Sequence, residues 1–314
     1  MHMATSAEAP QRPEPVELPK RGKRAKRSPI ARRQARTAYV FLAPALVFFA
    51  IFFYYPIADI LNTSMLTGQR TDEFAGMDNY TNAFEDPQAR NAFKVTLQFA
   101  VATTVGAIVL GMGLAVLINQ KLRGSLAFKL ALLVPYLTSI AVVGLMWRNI
   151  LDPELGILNR ILSDTGLPTQ EWLNTHPVAT IVAVTLWMTT GYTMILFLAG
   201  LQGIPDVYYE AAKVDGANRW QQFRRITVPL LTPTTLFVSV MAVITGLQAF
   251  GQAYIITRGG PGEASDLFVF HIYELAFRSR NFGYASALSV LLLLVIVAFT
   301  LVQLRIGRKR EVQY

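Results

Sequence analysis

Residues 93–118 read FKVTLQFAVATTVGAIVLGMGLAVLI. From Val95 to Ile118 there is no Asp, Glu, Lys or Arg. At about 1.5 Å of rise per helical residue this run crosses a hydrocarbon layer roughly 30 Å thick. Five further apolar runs, at 38–60, 127–147, 177–200, 229–256 and 283–304, have the same character. The whole chain agrees: 314 residues, 53% hydrophobic and only 16% charged, against roughly 25% charged in an average soluble domain. None of the runs alternates polar and apolar residues with period two, which sets aside a transmembrane barrel. The fold class expected is an all-α integral membrane protein with six transmembrane helices.

The charges sit between these runs, and their distribution gives an orientation. Of the 29 Lys and Arg residues, 21 fall in the tail before the first run, around 119–129, within 201–225 and after Leu304; the other connections hold 8. The positive-inside rule then places both termini in the cytoplasm. The net charge of +9 faces anionic lipid headgroups and calls for no nucleic acid. Residues 1–35 are polar, proline-containing and basic, and read as a disordered cytoplasmic tail. They lack a cleavage site, so the first run is a retained signal anchor. A membrane domain over 36–306 and a cytoplasmic tail over 307–314 complete the organisation. Pro44, Pro135 and Pro233 are each able to bend a span, while Ala107, Gly111 and Ala115, four residues apart, line one helix face where backbones approach closely.

Catalytic chemistry finds no support in the residues. There is no cysteine, hence no thiolate metal site or cysteine nucleophile. His176 and His271 fall in outside connections and read as solvated loop residues, so no metal site is expected. No G-x-x-x-x-G-K-[ST] phosphate loop occurs, and no membrane serine or threonine has a base beside it. No ionisable group lies mid-membrane, which weakens an ion-coupled carrier.

One inside connection stands apart. Residues 201–228 read LQGIPDVYYEAAKVDGANRWQQFRRITV, with Pro229 following. Asp206 is a candidate N-cap after Pro205, a short helix runs through Tyr208 to Val214, and Gly216 supplies a left-handed turn. A second short helix puts Trp220, Phe223 and Ile226 on one face. The product is a helix–turn–helix beneath the membrane, shaped to dock onto something cytoplasmic.

Glu210-Ala211-Ala212, Gly216, Ile226 and Pro229, at their spacing and after the fourth of six spans, resemble the EAA loop of permease subunits of binding-protein-dependent ABC importers. Val228 stands where that family usually has leucine. Residues 76–80 (GMDNY), 259–261 (GGP) and 282–287 (FGYASA), with Pro135 to Trp147, are similar to the carbohydrate-uptake branch, the maltose and glycerol-3-phosphate type. The resemblance, over about 35–306, implies the type I importer (MetI-like) architecture in a bacterial plasma membrane. It implies as partners a second homologous permease, two ATP-binding subunits that carry ATP and magnesium, and an external solute-binding lipoprotein. It also implies that this chain holds no cofactor and that Glu210, Ala211, Ala212, Asp215 and Gly216 are the ATPase-coupling positions. For the substrate, spans four and five offer Trp187, Thr189, Thr190, Tyr192, Gln248, Gln252 and Tyr254, whose rings, hydroxyls and amides suit a sugar or polyol. The alternative reading is a self-sufficient secondary carrier or a polytopic membrane enzyme.

Overall fold

The computed structural model describes residues 29–68, 73–120 and 124–308. The expected tail up to residue 28 and the last six residues therefore lie outside the described residues. The chain divides at Pro56 into two units. In the first, α1 (Pro29–Phe49) continues through Pro44 into a π-helical turn, Ala50–Tyr54. Helix is thus already under way at Pro29, inside the segment expected to be disordered, because proline is well suited to a first helical turn. Phe41, Phe48, Phe52 and Phe53 are all exposed, the surface a helix presents to lipid. With α2 (Tyr55–Thr63) this helix forms a span over Thr37–Thr63.

The second unit is a helical bundle. Helix α3 (Asp78–Glu85) ends at Asp86, which caps α4 (Pro87–Ile118) by accepting the Gln88 N–H at 2.8 Å. The other Asp86 oxygen accepts from the Tyr284 hydroxyl at 2.8 Å. Two helices follow, α5 (Ser125–Leu137) and α6 (Ile140–Ile150), with α7 (Ile157–Asp164) and α8 (Trp172–Thr175) in the connection beyond. The long α9 (Pro177–Gln202) comes next. The 201–228 segment supplies α10 (Asp206–Val214), α11 (Arg219–Gln222) and a π-helical turn, Phe223–Thr227. Then come α12 (Val228–Leu230), α13 (Thr232–Leu247), a π-helical turn over Gln252–Thr257, α14 (Phe268–Tyr273), another such turn over Glu274–Arg278, and α15 (Phe282–Arg308).

The core is built on α4, which packs most extensively on α9 and next on α13. Lipid tails are as apolar as leucine, so close packing rather than water exclusion holds such helices together. Ala107, Gly111 and Ala115 accordingly lie buried in the contact, and a Cβ on Gly111 would come within 2.7 Å of Thr193 Oγ1. Threonines within the bundle satisfy their hydroxyls locally: Thr96, Thr103 and Thr185 each donate to the carbonyl four residues earlier at 2.7–2.8 Å.

Two of the three spans whose prolines are able to bend them are broken. Span three bends by 98° between α5 and α6. Pro135 lacks an N–H, and Thr138 closes the first arm, its N–H donating to Pro135 O and its hydroxyl to Val134 O at 3.0 Å. Ser139 then caps the second arm by accepting the Ala141 N–H at 3.3 Å. The fifth bends by 64° at Leu231, between Pro229 and Pro233, and its regular helix ends at Leu247 rather than near 256. Apolar composition alone carries no mark of either corner. Among the described residues, four helices are long and apolar enough to cross a membrane, or up to six if each bent pair counts as one span.

Candidate functional site

The 201–228 segment forms the expected helix–turn–helix. Gly216 has φ +77, and α10 ends in a Schellman arrangement in which Ala217 N–H reaches Ala212 O at 2.9 Å and Gly216 N–H reaches Lys213 O at 3.1 Å. Asn218 and Gln221 then exchange reciprocal bonds of 2.8 Å, a capping box that starts α11. Asp206 is not the N-cap; that place belongs to Pro205, and Asp206 is the first helical residue, where its charge suits the helix dipole. Trp220 stacks on Phe223 with centroids 5.5 Å apart, yet it is exposed, so the second helix buries only part of the expected apolar face.

Along α10, Val207, Glu210, Ala211 and Val214 are exposed, and their i, i+3, i+4, i+7 spacing makes one continuous outward stripe. Val214 is 88% exposed. The opposite face is fastened to the bundle: Tyr209 packs beside Leu201, Ile204 and Leu231, and its hydroxyl lies 2.9 Å from that of buried Thr227. Ala212 is half-buried, and Asp215 is exposed beside Gly216. The five expected coupling positions thus share one short helix and its cap. Tyr209 and Thr227 were missed by reading the sequence because nothing local pairs residues eighteen apart.

The expected substrate-path residues do not form one site. Thr189, Tyr192 and Gln252 line a cavity of about 160 Å³ with Tyr136, Thr193 and Thr245. The Tyr136 and Tyr192 rings stack at 4.4 Å and 5°. Thr189 donates to Thr185 O at 2.9 Å, which leaves its oxygen lone pairs as acceptors. The volume is below the roughly 300–1,000 Å³ usual for small-molecule sites, so this inner chamber is closed down to the scale of a single ring. Trp187 lies elsewhere, edge to face with Trp147 at 5.5 Å. Thr190 is buried, its hydroxyl bonded to Leu186 O. Gln248 caps α13 and is exposed.

Tyr254 lines a second and much larger chamber of about 890 Å³. Its wall includes Arg148 at the end of α6, the turn around Gly259 and Gly260, and Asp266, Phe270, His271 and Glu274. Tyr254 packs edge to face with Tyr273 at 5.4 Å, and its neighbouring phenol raises the pKa of the Tyr273 phenol. His271 is not a solvated loop residue. It lies in α14, 7% exposed, with Nδ1 2.9 Å from Asp266 Oδ2. Its neighbours in the chain, Leu267, Phe268 and Phe270, are buried with it. Asp266 Oδ1, His271 Nε2 and Glu274 Oε1 are buried without a hydrogen-bond partner among the described residues. Each such atom costs about 1–3 kcal/mol until something pairs with it. Arg258 and Glu263 hold left-handed backbone, φ +53 and +65, at about 1–3 kcal/mol apiece. Among the described residues no group of three or more His, Asp or Glu side chains could hold a metal ion.

Comparison with known proteins places this architecture. The family model described as binding-protein-dependent transport system inner membrane component matches residues 107–312. The chain is 36% identical over 279 residues to the probable ABC transporter permease protein YurN of Bacillus subtilis, with 85% of this chain and 94% of that one covered. It is 34% identical to the sulfoquinovosyl glycerol transport system permease protein SmoG of Agrobacterium fabrum, covering 87% and 91%. It is 32% identical to the sn-glycerol-3-phosphate transport system permease protein UgpA of the same organism, covering 87% and 94%. Among solved structures it is similar to a chain of the bacterial alginate ABC transporter in complex with an alginate pentasaccharide-bound periplasmic protein, with TM-score 0.78, 27% identity, and 88% and 96% covered. The chain belongs to the family of binding-protein-dependent transport system inner membrane components, as a non-catalytic, multi-pass membrane permease subunit of an ABC transporter.

Proposed function

We propose that this permease imports a sugar or related polyol, driven by ATP that two partner subunits bind with magnesium and hydrolyse. A second homologous permease would complete the translocation path, and an external solute-binding lipoprotein would deliver the solute. The observation that carries the reading is α10: a short helix pinned on one face by Tyr209 and Thr227 and open on the other along Val207, Glu210, Ala211 and Val214. A helix held so firmly at its base and left unpartnered on an apolar and acidic stripe is built to be pushed. The relatives named for sugars and glycerol derivatives support the substrate class, as do the rings, hydroxyls and amide of the inner chamber.

Force on α10 has a short route into the membrane. Thr227 is the last residue of the π-helical turn that runs into α12, and the corner at Leu231 joins α12 to α13. Movement of the coupling helix therefore becomes a swing of α13 about that corner, and residues of α13 and the turn after it, Thr245 and Gln252, line the inner chamber. Nucleotide-driven closure of the partners would select between two arrangements of the bundle, and solute would follow the open face.

The test is reconstitution. The purified chain alone should hydrolyse no ATP. Assembled with partner permease, ATPases and solute-loaded binding protein in proteoliposomes, it should give solute-stimulated hydrolysis and uptake. Proton- or sodium-driven uptake by the chain by itself would support the secondary carrier instead.

A further inference from the structure

The large chamber at the far end of the bundle from α10 has no part in the coupling just described, yet its wall is the most chemically loaded surface in the chain. Three buried polar atoms, Asp266 Oδ1, His271 Nε2 and Glu274 Oε1, have no hydrogen-bond partner among the described residues. Asp266 and His271 are both more than nine-tenths buried, and both line the chamber. The 2.9 Å contact to Asp266 Oδ2 engages His271 Nδ1 and leaves Nε2 as the ring nitrogen open to a ligand hydroxyl. Donors stand on the same wall: the Arg148 and Arg258 guanidinium groups, both on exposed residues, while Arg278 is committed to Glu274 at 2.9 Å. Aromatic faces complete it, with Tyr254 and Phe270 ring centroids 6.2 Å apart.

That set discriminates between ligand classes. A cation would satisfy the acceptors but would face Arg148 and Arg258. A simple anion would suit the arginines but would lie against Asp266 and Glu274. A hydroxyl both donates and accepts, and a sugar ring also offers a C–H face to Tyr254 and Phe270. The wall is rigid enough to read such a ligand. Ser265 donates to Gly259 O through its N–H at 3.1 Å and to Gly260 O through its hydroxyl at 2.6 Å. Glu263 is tied to α4 by Gln88 at 2.7 Å and Asn91 at 3.0 Å. Left-handed backbone at Arg258 and Glu263 persists because these bonds fix it.

We infer that this outer chamber is a sugar-binding site distinct from the inner one, in which Asp266, His271 and Glu274 hydrogen-bond hydroxyls and Tyr254 and Phe270 cover the ring. The assignment rests on the sugar-permease reading for its substrate class. It places a first station for the solute ahead of the inner chamber, one that reads sugar chemistry broadly, so common sugars serve as probes.

The experiment uses the full chain assembled with its partner permease and ATPases in lipid nanodiscs. Saturation-transfer NMR would be recorded with D-glucose, maltose and D-galacturonate. Glucose or maltose should give a transfer signal that falls about fivefold or more in Tyr254→Ala and in His271→Phe. Because Tyr254 is exposed, Tyr254→Ala tests the site even if His271→Phe fails to fold. No signal from any of the three probes, or signals unchanged in both variants, would overturn the inference. A signal confined to galacturonate would overturn it too, since that outcome makes the chamber an anion site governed by the arginines. ATP hydrolysis on adding the binding protein, measured on the same wild-type discs, reports the permease reading separately.

Discussion

Exchanging Gly191 for alanine adds one methyl group at the point where α9 meets α5. A Cβ built there overlaps the Leu132 carbonyl and lies 2.9 Å from the Leu133 nitrogen. Both obstacles are backbone, so no side chain can rotate away. Restoring ordinary contact distances of about 3.5–4.0 Å requires α5 to back off by roughly 2 Å. That shift would pull Tyr136 from its 4.4 Å stack on Tyr192 and widen the inner chamber. Overpacking of this kind costs about 1–3 kcal/mol, which for a protein of this size lowers Tm by about 2–5 °C. The matched control is Gly113→Ala, where the added Cβ has no atom within 4 Å. There alanine should be neutral or stabilising by about 0.5–1 kcal/mol through its helix propensity. The assay is thermal unfolding of the two variants beside wild type in the same nanodiscs, with solute uptake by the assembled transporter as a second readout. Equal Tm values for the two variants would refute the packing argument.

Gly216→Val should leave expression and membrane insertion intact and cut coupled uptake severely; the added side chain meets no neighbour, so the cost is the left-handed backbone at φ +77 alone, about 1–2 kcal/mol. Normal uptake would remove the loop from the coupling role. Tyr209→Phe removes the 2.9 Å contact to Thr227 at a cost of about 1 kcal/mol, and should raise hydrolysis relative to transport by loosening α10 at its base; an unchanged ratio of solute moved to ATP spent would count against the lever. Asp152 accepts the N–H groups of Leu155 at 2.9 Å and Glu154 at 3.0 Å, which hold its pKa below the usual carboxylate value. A depressed pKa stabilises the 152–156 turn above about pH 4 and loses that contribution as pH falls through the folded value. Hydrogen exchange at Leu155 should therefore quicken in acid, and Asp152→Asn should flatten that dependence.

The span count and the helix–turn–helix were legible because both depend on local signals: unbroken apolar length in one case, a proline and a glycine at set offsets in the other. The small-residue face at Ala107, Gly111 and Ala115 was legible for the same reason. The corners at Thr138 and Leu231 were not, since proline marks where a helix is able to bend and tertiary packing decides whether it does. His271 read as a solvated loop residue because its burial and its pairing with Asp266 are products of the tertiary fold. The substrate candidates were chosen by residue type on two spans, and the bundle sorted them by depth: three into the inner chamber, Tyr254 into the outer one, and the other three into helix contacts or an exposed cap. Tyr136, on α5, entered from a span that residue type had not flagged.

The right-angled third span belongs to both chambers at once. Its first arm gives Tyr136 to the small one, and its second gives Ala141, Leu145 and Arg148 to the large one. The first arm is locked against α9 at Gly191, whereas Gly144 on the second meets Ile255 beyond α13. A rearrangement that slides α9 past the segment after α13 must therefore open or shut the elbow at Thr138 and Ser139. On the importer reading proposed above, solute passing from one chamber to the other would run along this elbow.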